Sequence, residues 1–440
     1  MGDYLEKRIR VLLFPWLAHG HAAAYIQLGK RLADRNFYVY FCSSPSNLVS
    51  VKGKIPEHFF ELIDLHLPSL PDLPPHRHTT NGLPPHLMPT LKQAFDLSAS
   101  TFSQILRSIS PDLLIYDFLQ HWSVESAHSH NIPAVAFVTS SASMIAYTAC
   151  LHHKAKDGPF PCNYLQHYWK ECLDRVVQDP MFEMVIRQFS MSDQYIFIKT
   201  TRDLEGEYME CAEKMHRKRV VAVGPLVEEP IEDDERGKDI LQWLDKRGKS
   251  STLYVSFGSE WYLSKELLRE MAEGLEMAGV GFIWVVRFNM GEKMSLEDDL
   301  FKGLLSRVGE NGGMVVEGWA PQVKILSHES VGGFVSHCGW ASVMESINYE
   351  VPIVAMPMQF DQPLNSKLVA KLGVGVEVER RRDGSFERGE VAKAIKMVMG
   401  QETGQPFRKK VAELSMSIKS EAQEEIEETV NVIKKLLKKS

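Results

Sequence analysis

Residues 319–362 read WAPQVKILSHESVGGFVSHCGWASVMESINYEVPIVAMPMQFDQ, and this stretch decides the fold of the second half of the chain. The pattern predicts a short helix, a buried strand at 333–336, a glycine turn, a second helix and another buried strand at 351–356. Turn N–H groups and the positive end of a helix dipole then point to one place, which favours a phosphate site. The residues that fall there are His337, Cys338, Gly339, Trp340 and Ser342.

Apolar runs alternate with amphipathic stretches on both sides of this region. Strands are predicted at 10–15, 38–42, 60–67, 113–116, 134–138, 195–199, 220–223, 253–257, 282–286, 314–316 and 374–378. Helices are predicted at 21–35, 265–277, 365–372, 388–399 and over roughly the last thirty residues. Unbroken apolar strands are typical of parallel sheets covered on both faces. The fold class is therefore predicted to be α/β, with two Rossmann-like doubly wound domains facing across a cleft.

The chain of 440 residues is too long for one ordinary core, and two domains of about 200 residues each are expected. The stretch VEEPIEDDERGKD at 227–239 is acidic and loses the apolar pattern, which is typical of a linker. We place the domains at 1–226 and 248–419, with a linker at 227–247. The helix at about 420–440 is expected to pack back on the first domain through the stripe Ile426, Val430, Ile433 and Leu437.

The composition excludes several classes of protein. A net charge of −7 without a clustered basic face argues against a nucleic-acid partner. The six cysteines show no C-x-x-C spacing, so neither a zinc site nor a disulfide framework is expected, and a reducing compartment fits them. The apolar run ending at Pro15 predicts a buried strand rather than a signal peptide, and no run reaches the length of a membrane span. We expect a cytoplasmic monomer whose partners are small molecules.

The WAPQ opening, the HCGW centre and the DQ close of residues 319–362 resemble the signature box of plant family 1 UDP-sugar glycosyltransferases, which have the GT-B fold. The match is long and gapless. The resemblance implies a C-terminal UDP-sugar-binding domain and an N-terminal acceptor-binding domain. It also implies donor-binding roles for Ser256, Gly258, Ser259, Trp319, Ala320, Gln322, His337, Gly339, Trp340, Ala341, Ser342, Glu345, Asp361 and Gln362.

The residue types in this box suit a nucleoside diphosphate, but each also has a purely structural interpretation. Trp319 offers a flat face to a pyrimidine ring, or it is a core aromatic residue. Ser342 to Glu345 contributes to a diphosphate and ribose site, or forms an S-x-x-E helix capping box. His337 binds phosphate, or is an ordinary histidine at a strand end.

Position 341 departs from the family pattern. The family usually has Asn after HCGW, whereas this chain has Ala341. An Asn amide would donate to the α-phosphate, and an alanine methyl group cannot. The loss of one hydrogen bond to a charged group costs about 1.5–3 kcal/mol when nothing replaces it. Backbone N–H groups and Ser342 are then expected to carry more of the phosphate binding.

The resemblance also implies a catalytic pair. The first predicted strand runs into FPWLAHGH, where the base of the family maps to His21 rather than His19, and its carboxylate partner maps to Asp117 in LLIYDF. A carboxylate behind an imidazole fixes the tautomer and stabilises the imidazolium. The structural alternatives are an N-terminal helix residue for His21 and a helix cap for Asp117. The sequence contains no Asp-x-Asp, so we expect no bound metal, and we also expect no cofactor. Direct attack at the anomeric carbon predicts inversion.

Further stretches resemble the branch-forming group of the family, which adds a sugar to a sugar already present. These are FPWLAHGH, HTTNGLPPHLMPTLKQAF, LLIYDF, VGPLV, GFIWVVRF and AMPMQFDQP. The expected co-substrate is UDP-glucose, because Gln362 is the usual residue of the family for glucose. Residues 68–89 form a loop rich in proline and histidine, in which Leu83 and Leu87 are expected to shield an aglycone. The candidate acceptor-binding residues are Trp16, His78, Asn81, Phe118 and Ser140.

Three other functions share part of this sequence pattern. A nicotinamide oxidoreductase would share the architecture, but FPWLAHGHAAA lacks the G-x-G-x-x-G that should follow the first strand. A catalytically silent UDP-sugar-binding protein would not need both His21 and Asp117. Direct glucosylation of an aglycone hydroxyl would use the same donor and base.

Overall fold

The secondary structure alternates between strands and helices along the whole chain. The computed structural model describes residues 8–53, 55, 60–155, 158–161, 164–176, 180–230, 237–288, 299–308 and 312–438. None of the helices in these ranges combines the length and the hydrophobicity needed to span a bilayer.

The strands are β1 (Arg10–Phe14), β2 (Tyr38–Ser43), β3 (Phe60–Asp64), β4 (Leu113–Asp117), β5 (Ala134–Val138), β6 (Tyr195–Ile198), β7 (Arg219–Ala222), β8 (Thr252–Ser256), β9 (Gly281–Val286), β10 (Gly313–Glu317), β11 (Val331–Ser336), β12 (Ile353–Ala355) and β13 (Gly375–Glu377).

The α-helices are α1 (His19–Ala33), α2 (Pro45–Val51), α3 (Met88–Asp96), α4 (Ala99–Ile109), α5 (His121–Ser129), α6 (Ala142–His152), α7 (His167–Val176), α8 (Pro180–Met191), α9 (Arg202–His216), α10 (Lys238–Leu244), α11 (Lys265–Ala278), α12 (Asp299–Val308), α13 (Gln322–Leu326), α14 (Trp340–Asn348), α15 (Gln362–Lys371), α16 (Arg388–Met399) and α17 (Gln405–Leu437). Short 3-10 turns lie at Pro75–Arg77 and Pro85–Leu87.

The first sheet is parallel and doubly wound. Its strand order is β3-β2-β1-β4-β5-β6-β7, so the direction of winding reverses between β1 and β4. In that pair Phe14 lies opposite Tyr116. Ligands of doubly wound sheets bind beyond the carboxyl ends of the strands at such a switch point. The residues that follow β1 and β4 are therefore the first place to look for a site.

The second sheet repeats this architecture. Its order is β10-β9-β8-β11-β12-β13, again parallel, with the reversal between β8 and β11. Ser256 at the end of β8 lies opposite Ser336 at the end of β11. The glycine turn predicted after residue 336 therefore begins at the switch point of this sheet. The predicted fold class of two doubly wound α/β sheets is confirmed.

The chain divides into two compact units. Unit 1 comprises Met1–Pro159, Val177–Leu226 and Ser420–Ser440, and unit 2 comprises Phe160–Val176 and Val227–Lys419. Residues 231–236 of the predicted linker lie outside the described residues. The rest of that linker includes α10, and its Ile240 and Leu244 are buried in a core cluster of unit 2.

The core of unit 1 covers one face of its sheet with two helices that are distant in sequence. A single apolar cluster joins Leu13 of β1 with Leu28 of α1 and with Ile426, Val430 and Ile433 of α17. Three residues of the predicted apolar stripe of the last helix are thus buried, and Leu437 is partly buried against the same cluster. Three residues of β1, Val11, Leu12 and Leu13, have no exposed surface, as expected for a strand covered on both faces.

Several predicted boundaries differ from the observed ones, including those of the third strand and the first helix. The third strand was predicted to reach Leu67 but ends at Asp64, because its neighbour β2 ends opposite it at Ser43. Ser44 then leaves the sheet and caps α2 by accepting a hydrogen bond from the N–H of Asn47. The first helix begins at His19 rather than at residue 21, so His21 lies inside its first turn.

Candidate active site

A histidine–aspartate pair lies at the switch point of the first sheet, in unit 1. Asp117 is the last residue of β4, and His21 lies in the first turn of the helix that follows β1. The Nδ1 atom of His21 is 2.6 Å from Oδ2 of Asp117. Because parallel pairing brings the ends of β1 and β4 together, residues 96 positions apart come into contact.

The carboxylate of Asp117 is fully buried and has other donors besides the imidazole. The N–H of Trp16 donates to Oδ2 at 3.3 Å, and the N–H of Leu119 donates to Oδ1 at 3.4 Å. Such donors offset the loss of hydration that burial imposes on a carboxylate. Since a carboxylate only accepts, Nδ1 of His21 carries a proton, and the lone pair is on Nε2. The His21 side chain is 23% exposed.

A third strand contributes a hydroxyl that the sequence interpretation missed. Thr139 follows β5, which is the neighbour of β4, and its Oγ1 lies 3.2 Å from Nδ1 of His21. The signal was present in the sequence, because a polar Thr-Ser-Ser run follows a buried strand. Ser140, in the same turn, has a buried Oγ with no hydrogen-bond partner among the described residues.

Two of the acceptor-binding candidates in unit 1 are packed against other aromatic side chains. Trp16 is 9% exposed and meets Phe95 edge to face, with ring centroids 5.2 Å apart. Phe118 is 8% exposed, and its ring centroid is 6.0 Å from that of His21. Phe118 is therefore next to the imidazole, whereas Trp16 reaches the pair through its backbone N–H.

The loop at 68–89 is tied into unit 1 more closely than its composition predicts. The hydroxyl of Ser44 donates to the carbonyl oxygen of His78 at 2.5 Å, and Thr79 Oγ1 donates to Asn47 Oδ1 at 2.8 Å. The N–H of Thr80 donates to the carbonyl oxygen of Leu17 at 3.1 Å. These contacts hold the loop against the start of α2 and the chain before α1.

Several side chains of this loop are consequently buried rather than presented to a ligand. His78 is 2% exposed, and desolvation lowers the pKa of its imidazole. Leu83 and Leu87 are 4% and 6% exposed, so little of either side chain is available at the surface to cover an aglycone. His76 and Asn81 are exposed.

Unit 2 forms a second candidate site at the switch point of its own sheet. After β11 the chain passes through Cys338, which has a φ of 63°, and enters α14 at Trp340. Gly339 is the N-cap of α14, and no side chain caps the first turn. First-turn N–H groups have no partner within a helix, so this end of α14 is suited to bind an anion.

The capping-box interpretation of residues 342–345 was wrong. Because the N-cap is Gly339, Ser342 lies inside the helix rather than before it. The Nε2 group of Gln322 instead donates to Ser342 Oγ at 3.0 Å and to Glu345 Oε2 at 2.7 Å. Gln322 thereby joins the start of α13 to one face of α14.

His337 lies between two glycines that leave no room for a side chain. A Cβ placed on Gly258 or on Gly339 would come within 2.6 Å of His337 Nε2. Gly258 also has a φ of 77°, a left-handed conformation that favours glycine. Desolvation lowers the pKa of the His337 imidazole to about 4, so it is neutral near pH 7. It therefore offers a hydrogen bond rather than a positive charge.

The remaining residues implied to bind the donor lie at or after the ends of β8, β10 and β12 and differ in exposure. Trp319 is 53% exposed, so its interpretation as a core aromatic was wrong, whereas Ala320 beside it is 8% exposed. Ser256 is 7% exposed and Ser259 is exposed. Asp361 accepts a hydrogen bond at 2.9 Å from the Nδ2 group of Asn365.

Asn365 is a second residue that the sequence interpretation missed. It is fully buried, and its Nδ2 group also donates to the carbonyl oxygen of Cys338 at 2.9 Å. One amide thus ties the glycine turn after β11 to Asp361 at the start of α15. A buried Asn near a helix start gives little signal in a single sequence, since the turn it contacts is 27 residues away.

Family models match both halves of the chain. The model described as "UDP-glucoronosyl and UDP-glucosyl transferase" matches residues 159–433, and "Glycosyltransferase, N-terminal domain" matches residues 7–228. The chain belongs to the UDP-glycosyltransferase family. This confirms the resemblance drawn from the box at 319–362.

Relatives of this UDP-glycosyltransferase match over nearly its full length. A beta-D-glucosyl crocetin beta-1,6-glucosyltransferase of Gardenia jasminoides is 43% identical, covering 97% of this chain and 98% of the relative. A mogroside IIIx synthase of Siraitia grosvenorii is 47% identical, with coverage of 97% and 98%. The crystal structure of Glycyrrhiza uralensis UGT73P12 with glycyrrhetinic acid 3-O-monoglucuronide matches with a TM-score of 0.85, at 25% identity and coverage of 98% and 96%.

Ala341, where the family usually has Asn, is a partly exposed residue in the first turn of α14. Its methyl group cannot donate a hydrogen bond. The hydroxyl of the neighbouring Ser342 accepts a hydrogen bond from Gln322 and keeps its own O–H to donate.

We predict that Gly258→Ala weakens UDP binding about tenfold or more. An L-residue in the left-handed region costs roughly 1–2 kcal/mol, and the new Cβ would displace the His337 imidazole. The measurement is the Kd of UDP by calorimetry. Gly389→Ala is the matched control, because nothing lies within 4 Å of a Cβ at that position in the same unit. A Gly258→Ala protein that binds UDP as tightly as the unaltered chain would contradict this prediction.

Proposed function

We propose that this UDP-glycosyltransferase moves glucose from UDP-glucose to a hydroxyl of a sugar already attached to a plant natural product, such as a flavonoid or terpenoid glycoside. The product is a β-linked branched or extended sugar chain. The observation that carries the proposal is the 2.6 Å contact between His21 Nδ1 and the buried Asp117 at a switch point. In this proposal unit 1 binds the acceptor and unit 2 binds the donor.

His21 is the general base of the proposed reaction. Its Nε2 removes the proton from the acceptor hydroxyl as that oxygen forms a bond to the anomeric carbon of glucose. The bond between this carbon and the UDP oxygen breaks, and UDP leaves with the bonding electrons. Asp117 stabilises the imidazolium through Nδ1. One direct displacement inverts the anomeric centre, so an α-linked donor gives a β-glycoside.

The donor is proposed to lie along the carboxyl edge of the second sheet. The exposed face of Trp319 stacks on uracil, and the backbone of Ala320 approaches the base edge. Gln322 and Glu345, already joined by a 2.7 Å hydrogen bond, bind the ribose hydroxyls. The diphosphate binds at the start of α14, and Asp361 and Gln362 bind the glucose hydroxyls.

The negative charge of the leaving diphosphate is proposed to be stabilised without a metal ion. The chain contains no Asp-x-Asp sequence, which is the usual way to hold a divalent cation on a sugar nucleotide. Within the described ranges, no three His, Cys, Asp or Glu residues are grouped as metal ligands. The uncapped first turn of α14 and the neutral imidazole of His337 supply N–H donors instead.

Two features support a glycoside acceptor. The name of the Gardenia jasminoides relative states that it glucosylates a glucosyl crocetin, and the Glycyrrhiza uralensis structure contains a monoglucuronide. In this chain Thr139, Ser140 and the pair itself give the edge of the first sheet a polar character suited to sugar hydroxyls. The exposed Asn81 adds a polar group at the surface of the 68–89 loop.

We expect His21→Ala to lower kcat/KM for a sugar-hydroxyl acceptor by about 10²–10⁴-fold, because an unactivated hydroxyl needs a base. Asp117→Asn should lose a similar factor, since the amide favours the wrong tautomer of His21. The Kd of UDP should stay within about twofold in both, as neither residue touches the nucleotide in the proposal.

His19→Ala is the matched control for this pair. His19 is exposed at the first position of α1, two residues before His21. It should retain the rate of the unaltered chain. Near-normal turnover by His21→Ala on an ordinary alcohol acceptor would refute the assignment of the base. If the unaltered chain also transferred no sugar, a catalytically silent UDP-sugar-binding protein would be favoured.

UDP-glucose should be the preferred donor over UDP-galactose, UDP-xylose and UDP-glucuronate. The Gln362 amide can donate to the glucose hydroxyls, and the Asp361 carboxylate would repel the carboxylate of a uronic acid. Side-by-side kcat/KM values with one acceptor measure this. A higher value for any of the other three donors would overturn the assignment of glucose.

A monoglucoside should be a better acceptor than its own aglycone by roughly 100-fold in kcat/KM. Polar groups built to bond the first sugar stay unpaired when that sugar is missing. The measurement compares a flavonoid and a triterpene, each with its monoglucoside. Equal or better use of the bare aglycones would replace this proposal with direct aglycone glucosylation and leave the donor assignment standing.

A further inference from the structure

The loop between β12 and α15, residues 356–361, leads into Asp361 and Gln362, the two residues that we assign to the sugar of the donor. Gln362 is 5% exposed, and its Oε1 accepts from the N–H groups of Met358 at 2.9 Å and Gln359 at 3.0 Å. This pairing orients the amide, so its Nε2 end is the one left to donate. If the loop moves, the orientation of Gln362 is lost.

Arg380, which lies outside residues 319–362, contacts this loop at Pro357 and Met358. The guanidinium of Arg380 donates from Nη2 to the carbonyl oxygen of Pro357 and from Nη1 to that of Gly384. Its Nη2 also lies 3.4 Å from Sδ of Met358. Arg380 thus connects the loop to the hairpin that closes at the bridge between Arg380 and Phe386.

The guanidinium of Arg380 is enclosed by aromatic rings. Its central carbon lies 3.8 Å from the ring centroid of Phe386, 4.8 Å from that of Trp169 and 5.8 Å from that of Tyr168. Desolvation lowers the pKa of Arg380 to about 10, which leaves it charged at neutral pH. A planar cation suits this position, because it stacks on rings and donates in two directions at once.

Two of these rings come from a segment that is remote in sequence. Residues Phe160–Val176 lie between β5 and β6 of the first sheet in the sequence but belong to unit 2. Gln166 of this segment accepts from the N–H of Arg380 at 3.3 Å, and its Nε2 donates to Glu377 at 2.8 Å. The ring of Tyr168 occupies the space above Gly384, where a Cβ would come within 2.4 Å of it.

The contacts continue to the helix that carries the sugar-binding residues. Glu377 is 6% exposed at its side chain and pairs with Lys367 of α15 at 2.5 Å. The same α15 begins at Gln362. The segment at 160–176 is therefore connected both to the 356–361 loop, through Arg380, and to α15, through Glu377.

We propose that Arg380 is a positioning residue for the sugar of the donor, and that the segment at 160–176 holds the Arg380 side chain in place. This inference rests on the proposed function. Arg380 acts by holding Pro357 and Met358 where they orient Gln362, without touching the donor itself. None of the hydrogen bonds or ring contacts described above for Arg380 involves the residues between 319 and 345 that we assign to UDP.

The loss of Arg380 should affect sugar recognition and nucleotide binding differently, whereas a general loss of structure would weaken both. Sugar recognition depends on the 356–361 loop, whereas nucleotide binding depends on Trp319, Gln322 and the start of α14. Removal of Arg380 should therefore weaken the use of UDP-glucose while sparing the affinity for UDP. Misplacement of a reacting group by about 1 Å can cost about 100-fold in rate.

The experiment measures kcat and KM for UDP-glucose, and the Kd values of UDP and UDP-glucose, in Arg380→Ala and Arg380→Lys. We expect Arg380→Ala to lower kcat/KM at least about tenfold with the Kd of UDP within about twofold. Arg380→Lys should recover only part of the loss, because an ammonium lacks the planar fork. Gln166→Ala should give a smaller loss of the same kind.

Arg381→Ala is the matched control, since Arg381 lies on the same hairpin and forms an exposed ion pair with Glu387 at 3.2 Å. It should leave every parameter unchanged. A parallel loss of UDP and UDP-glucose affinity in Arg380→Ala, or no change in either, would overturn the inference. If the unaltered chain transferred no sugar, the proposed function would fail, and the two Kd values would still decide whether Arg380 affects the sugar end.

Discussion

Parallel strand pairing is the constraint on which both candidate sites depend. In a parallel sheet the carboxyl ends of neighbouring strands meet at one edge, whatever their separation in the sequence. The pairing of β1 with β4 brings His21 to Asp117, and the pairing of β8 with β11 brings Gly258 to His337. Neither contact arises from local sequence. A change that shifted either pair of strands would separate the groups without altering them.

Backbone N–H groups and histidine rings lie where these two sites hold, or are proposed to bind, negative charge. The buried carboxylate of Asp117 receives backbone N–H groups from Trp16 and Leu119 as well as the imidazole. At the second site the pKa of His337 is lowered to about 4, and α14 begins without a capping side chain. Donors that are fixed before the ligand arrives need little reorganisation, which favours stabilisation of a developing negative charge.

Outside the reacting groups, the structure uses long-range side-chain contacts to hold short loops. Asn365 joins the turn after β11 to Asp361, and Arg380 joins the 356–361 loop to its own hairpin and to the segment at 160–176. Ser44 and Asn47 hold the 68–89 loop in the same way. Loops without regular hydrogen bonding need such anchors if their side chains are to keep one geometry.

The sequence by itself determined what local patterns encode. The alternation of apolar runs predicted the two doubly wound sheets, with the strand Ala134–Val138 and the helix Arg388–Met399 at their observed bounds. The spacing within residues 319–362 identified the family, because the chemistry of a nucleotide site is concentrated in one strand, turn and helix.

Tertiary structure decided what depends on distant partners. Packing decides that Trp319 is exposed and that His78 is buried. It also decides that Ser342 accepts a hydrogen bond from Gln322 instead of capping a helix. The contact of Thr139 with His21 and the assignment of residues 160–176 to unit 2 join positions that no local period connects. Local periodicity records which face of an element is apolar, and only the assembled core decides which partner that face meets.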